Sequence, residues 1–196
     1  MHLPDGGRAN AGRLPTAAAD TGRCADCGMR DGVMATHRFD VNDAELRESF
    51  LRHELVPATE GLGEASPPRW GRMRPQEMIE HLIWAFELST GQARTECRVP
   101  EAGAPRMRQF LYDNRPTPRG FMNPALAAGL PPLQYGSLGE ATRALAREVG
   151  RFIDGPRSSG QLYTHPIFGP IEFDEWHRTH YKHTYHHLLQ FGLIEE

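Results

Sequence analysis

Lysine is nearly missing from this chain: Lys182 is the only one among 22 basic residues, and the rest are arginine. We read that imbalance as genome composition rather than as a phosphate-binding device. Charge of either sign is also scarce in net terms. A formal charge of −3 over 196 residues provides no basic face for nucleic acid and no strong electrostatic steering. No apolar run approaches the roughly 18 residues that a membrane-spanning helix needs, so no such span is expected. Cysteine is limited to Cys24, Cys27 and Cys97, which is not a disulfide framework, and no secretory signal is visible. These features point to a cytoplasmic protein. Cys24-Ala-Asp-Cys27 is a CxxC, but no second pair completes a zinc site and no strand–helix context suits a redox motif. We read it as incidental.

Large apolar residues are almost absent from residues 1–33, which are rich in Gly, Ala, Arg and Asp. Such a stretch buries too little surface to offset its ordering entropy. We therefore expect residues 1–35 to be a disordered extension and residues 36–196 to form one domain, with Met34 as a candidate start.

Histidine is abundant. The stretch from Phe173 to Gly192 holds five of the ten histidines, contains no proline and meets its first glycine at the end, where a helix C-cap wants one. At about 100° per residue, Trp176, His180, His183, His187 and Gln190 fall within an arc of roughly 80°. Buried imidazoles are costly unless bonded to something. His183 and His187, spaced i and i+4, lie one above the other and are close enough to share an ion. Neutral imidazole is the commonest protein ligand for several divalent metals.

Three further helices are expected. The first runs from Asp43 to Val56, with Asn42 as N-cap, Glu45 as capping-box partner and Pro57 as the stop. The second runs from Pro75 to Thr90 and ends at Gly91. On it Met78, His81, Ala85 and Leu88 share a face, so His81 is the one polar residue in an apolar stripe. A lone His there would be a core residue bonded to a carbonyl. With an unsatisfied pair on another helix, ligation is the better reading. The third runs from Leu138 to Ile153, with a Ser137–Glu140 capping box and Gly155-Pro156 as the stop. Residues 92–136 carry seven prolines and little periodicity, apart from a short helix around Arg106–Asp113. Their aromatics suggest packing over one end of the domain. Credible strands are few. The pattern implies an all-α fold: a four-helix bundle with a long crossover connection between helices two and three, which places metal sites between facing helices.

The residues resemble a known family. Trp70-Gly71-Arg72-Met73-Arg74-Pro75-Gln76-Glu77-Met78-Ile79-Glu80-His81-Leu82 is similar to the second helix of the DinB-like (YfiT-like) four-helix-bundle superfamily of metal-dependent enzymes. His183-Thr184-Tyr185-His186-His187-Leu188-Leu189-Gln190 is similar to its last-helix signature, H-x-x-H-H-x-x-Q. His165-Pro166-Ile167-Phe168-Gly169 followed by Glu175-Trp176 looks like an uncharacterised branch. The similarity spans about residues 36–194. It implies His81, His183 and His187 as ligands of a divalent ion (Zn, Ni or Fe), a small-molecule substrate, in some relatives a low-molecular-weight thiol, and frequent homodimers. Nucleic acid and membrane are not implied as partners.

Around that triad, His180 lies one turn before His183, as a fourth ligand, a general base or a bonded structural His. Gln190 is either a hydrogen-bond partner for a ligand ring or bound water, or a surface residue. His186 is expected to bond a neighbouring helix, and His165 sits in a loop that can lie over the site. The competing readings are a metal-dependent enzyme acting by metal-bound water or thiol transfer, a non-catalytic metal-binding or sensing bundle closed by a fourth ligand, and a metal-free histidine network.

Overall fold

The computed structural model describes residues 38–121, 123–127, 129–156, 158 and 160–195. The expected N-terminal extension, its Cys24/Cys27 pair and Met34 lie outside the described residues. The described chain is mostly helical, with one small hairpin: α1 (Ala44–Ser49), a π-helical segment (Phe50–Glu54), α2 (Leu55–Thr59), α3 (Pro75–Ser89), α4 (Ala104–Arg108), α5 (Leu138–Asp154), β1 (Tyr163–His165), β2 (Gly169–Ile171) and α6 (Phe173–Phe191). No helix among the described residues is long and apolar enough to cross a membrane.

The first helical run differs from expectation at both ends. Asp43, not Asn42, is the N-cap; its carboxylate accepts from Leu46 N–H at 3.0 Å. Pro57 does not stop the run, which continues to Thr59. The π-helical segment just before it shifts the backbone ladder, with Leu55 N–H bonding Phe50 C=O five residues back. Pro57 then falls in the first turn of α2, where its missing N–H costs little.

The other helices follow local chemistry closely. Pro75 opens α3, and Glu77 reaches back to Arg74 N–H at 2.7 Å. Ser137 Oγ caps α5 by accepting from Glu140 N–H at 3.2 Å. The Glu140 carboxylate takes the Gly136 N–H rather than closing a reciprocal box. Gly192, at φ 68°, ends α6 in the left-handed conformation that glycine adopts without penalty.

Packing places α6 and α5 against α3 and the α1–α2 run against α5 and α6. Leu138, Ala141, Leu145, Val149 and Phe152 form the buried stripe of α5. Phe39, Phe50, Tyr181 and Tyr185 pack as an aromatic group that seats the first helical run on α6. Beside it Arg47 is 1% exposed, donating to Val41 C=O at 2.6 Å and to Asp174 at 2.6 Å.

The segment between α3 and α5 holds the expected short helix, slightly displaced as α4 plus a 3-10 turn at Gln109–Leu111. The hairpin was not expected. It pairs Tyr163 with Ile171 and His165 with Gly169 in antiparallel register. Arg98 N–H bonds Pro166 C=O at 2.7 Å, and the Arg108 guanidinium bonds Phe168 and Pro170 carbonyls at 2.8 and 2.6 Å. These bonds tie the hairpin to the crossing segment, and both then cover the α3–α6 face.

Arg47→Ala removes these bonds and leaves Val41 C=O with only the longer Arg178 bond at 3.1 Å and the Asp174 carboxylate without its buried partner. It should destabilise the fold by about 2–4 kcal/mol in denaturant titrations, and a loss below about 0.5 kcal/mol would contradict the role given to this residue.

Candidate metal centre

Two helices bring three imidazoles to one point. His81 comes from the middle of α3, and His183 and His187 come from consecutive turns of α6. Their ligand atoms all lie within 4.8 Å of one another. His81 Nε2 is 2.8 Å from His183 Nε2, and His187 Nε2 is 3.1 Å from it. His81 and His187 are buried, and His183 is half-buried. The α3 apolar stripe that makes His81 conspicuous in the sequence also drives it into the helix interface.

Gln190 settles the protonation of His187. Its amide nitrogen donates to Trp70 C=O at 2.9 Å, which turns its Oε1 to His187 Nδ1 at 2.7 Å. Nδ1 is therefore the protonated nitrogen, and Nε2 presents a bare lone pair to the cluster. The Gln190 carbonyl accepts from Arg69 N–H at 2.6 Å, so the loop before α3 holds the end of α6 on both sides. Gly71 makes this possible. Its φ is +83°, and a Cβ there would lie 2.7 Å from Gln190 Nε2.

The three nitrogens do not satisfy one another. His187 Nε2 brings no proton, and His183 Nε2 carries at most one. If that proton points to His187, none lies between His183 and His81 unless His81 donates toward an N–H that points elsewhere. If His81 donates to His183, the His183–His187 contact sets lone pair against lone pair. Protonating a ring is disfavoured: burial pushes His81 down to about 4, and burial likewise holds His183 and His187 well below the usual imidazole range, with the neighbouring rings adding to it. A cation resolves the conflict, since three neutral Nε2 lone pairs are a donor set suited to zinc, nickel or iron. Two bonds of about 2.0–2.1 Å at a tetrahedral angle separate nitrogens by about 3.3 Å, close to the 2.8 and 3.1 Å from His183 to its two neighbours, with all three ligand atoms inside 4.8 Å. The residues fit a divalent ion.

The remaining candidates take other places. His180 is fully buried. Its Nε2 pairs with Ser89 Oγ at 2.8 Å, whose own proton goes to Phe86 C=O, and its ring stacks on Phe86 with centroids 3.9 Å apart. It is neither a fourth ligand nor at the cavity wall, so the expectation of a catalytic His180 gives way to a core histidine. Its position on the α6 face looked equivalent to that of His183, but the residue of α3 that faces it is Ser89, two turns beyond His81. Gln190 is buried, not a surface residue, and bonds the His187 ring. His186 bonds Thr117 C=O at 3.1 Å, in the crossing segment rather than on a neighbouring helix. His165 accepts Ile167 and Phe168 N–H at Nδ1, stacks on Phe168 and is pushed down to about 3 by burial.

A cavity of about 400 Å³ opens against the triad. His81, His183 and His187 form part of its wall, and most of the rest is apolar, including Trp84, Phe110, Phe168 and Trp176. Lys182 also lines it. That residue drew no functional reading in the sequence, and its place next to His183 was the only signal that could have singled it out. No protein-family model, curated protein or solved structure matches this chain.

Two outcomes follow. Gly71→Ala pushes Gln190 off His187 and should weaken zinc binding about 10–100-fold against a chromophoric chelator; unchanged affinity would remove Gln190 from the site's support. For pH, His165 is held near 3 when folded and titrates near 6.5 when unfolded, so the unfolded state binds more protons between those values. Stability should fall as pH drops from about 6.5 toward 3, and His165→Asn should flatten that slope by up to about 1.4 kcal/mol per pH unit in denaturation curves. A slope unchanged by the substitution would contradict the buried neutral His165.

Proposed function

We propose that this protein is a divalent-metal-dependent enzyme of the DinB-like type, built on a four-helix bundle, with His81, His183 and His187 as the metal ligands. The observation that carries the reading is the convergence of three imidazole Nε2 atoms whose protons cannot satisfy both contacts. The cavity against the same atoms supports catalysis over storage or sensing, because a substrate has room to reach the ion. The closed-site alternative has lost its expected fourth ligand, since His180 is committed to Ser89.

A divalent ion held by three neutral imidazoles supplies Lewis acidity, lowering the pKa of a water or thiol that joins it. The chain's own residues do the rest. Gln190 keeps the His187 proton on Nδ1 and so keeps Nε2 available. Trp84, Phe168 and Trp176 give the cavity beside the triad an apolar wall. Hydrolysis and thiol transfer use the same three ligands.

Elemental mass spectrometry on untagged protein tests the reading. Near one equivalent of a divalent metal per chain is expected, at least about tenfold reduced in a His183→Ala/His187→Ala variant. Turnover in panels of aryl esters and of thiol acceptors should require that metal. Metal-free protein that stays metal-free after incubation with zinc or nickel would overturn the site. Stoichiometric metal without turnover in either panel would favour the non-catalytic bundle.

A further inference from the structure

The cavity beside the triad has a charge pattern as well as a shape. No carboxylate lines it, and its two non-histidine charged residues are both cationic, Arg106 and Lys182. Arg106 is exposed, whereas Lys182 is 2% exposed. The Lys182 ammonium donates to Asp113 C=O at 2.5 Å and sits 4.0 Å from the centre of the Phe110 ring, which lines the same cavity. Among the described residues no carboxylate lies within ion-pair distance of it. The Asp113 carboxylate is taken by Arg115 instead. A buried ammonium with one carbonyl and two aromatic rings, Phe110 and the more distant Phe39 at 5.7 Å, is under-compensated, and an anion placed beside it would recover part of the desolvation cost.

A second donor points the same way. His165 uses Nδ1 to accept two backbone N–H groups, so its proton sits on Nε2, for which no partner is present among the described residues. His165 lines the cavity too. Away from the triad, the charged groups around this apolar space are therefore cationic, and the remaining polar side chains on the wall, Thr117, Asn123, Thr179 and His186, include no carboxylate to repel an anion.

We propose that the cavity binds a small apolar monocarboxylate, an aryl or alkyl acid, with its carboxylate toward Lys182 and its hydrocarbon part against the aromatic wall. The inference deepens the metal-enzyme reading and rests on it for the triad's place at the cavity wall: such acids, or the esters and thioesters that yield them, become the substrate or product class of the site. The large polar surface of a peptide-like thiol matches this wall poorly. A volume of about 400 Å³ suits a molecule of two fused rings or a medium-length chain.

Calorimetric titration of the full-length zinc-loaded protein with 2-naphthoate, 2-naphthamide and 2-naphthylmethylamine tests it. The acid should bind about tenfold more tightly than the isosteric amide, and the amine should bind most weakly. In Lys182→Met the amide affinity should stay within about twofold, which reports an intact cavity, while the preference for the acid over the amide collapses. Any contact between the acid and the metal is common to both proteins, so the change in preference isolates Lys182. Equal binding of acid and amide to wild type overturns the proposal, as does absence of binding by all three probes. Both readouts use wild type alone and stand even if the variant fails to fold. An acid preference that persists in folded Lys182→Met also overturns it. Metal content of the same wild-type preparation is read separately. A Lys182-dependent acid preference in protein that takes up no zinc would sink the metal reading and leave this one. One equivalent of zinc without an acid preference would do the reverse.

Discussion

Three imidazole nitrogens that meet at one point between α3 and α6 without enough protons to bond one another are the constraint on which the site depends. Burying histidine in an apolar interface is costly, and burying three with their lone pairs opposed is costlier still. Each surrounding feature holds that arrangement in place. The i, i+4 spacing on α6 fixes two rings, and the apolar stripe of α3 delivers the third. Gln190, braced by Trp70 C=O and given room by Gly71, decides which nitrogen of His187 is bare.

The covering segments give the cluster its access and its specificity. The hairpin and the proline-rich crossing segment carry few strong elements of their own, yet arginine-to-carbonyl bonds lock them to each other. They leave a cavity rather than a packed core against the triad. Its wall is largely apolar and aromatic and its non-histidine charged residues are cations, a combination that favours apolar anions beside the triad.

Much of this was legible in the residues. Helices α3, α5 and α6 announce themselves through caps, glycine stops and apolar periodicity, and their observed ends lie within a residue or two of expectation. His81, His183 and His187 were legible because one His interrupts an apolar stripe and two others share a helix face. Other features depended on contacts distant in sequence. Nothing local distinguishes His180 from His183; the difference lies in whether Ser89 or His81 faces it from α3. Pro57 looked like a stop because a π-helical shift is not encoded in any short motif. The hairpin is brief, contains Gly169-Pro170 and lacks strand alternation, so it read as loop. Lys182 looked like a compositional remnant until burial beside Phe110 gave it a role.

In the proposed site three neutral imidazoles hold one divalent ion. X-ray absorption at the metal edge of the zinc-loaded protein tests it most directly. The prediction is three nitrogen scatterers with imidazole outer-shell features at about 2.0–2.1 Å, completed by oxygen. A fourth imidazole, or a shell of oxygens alone, would contradict it.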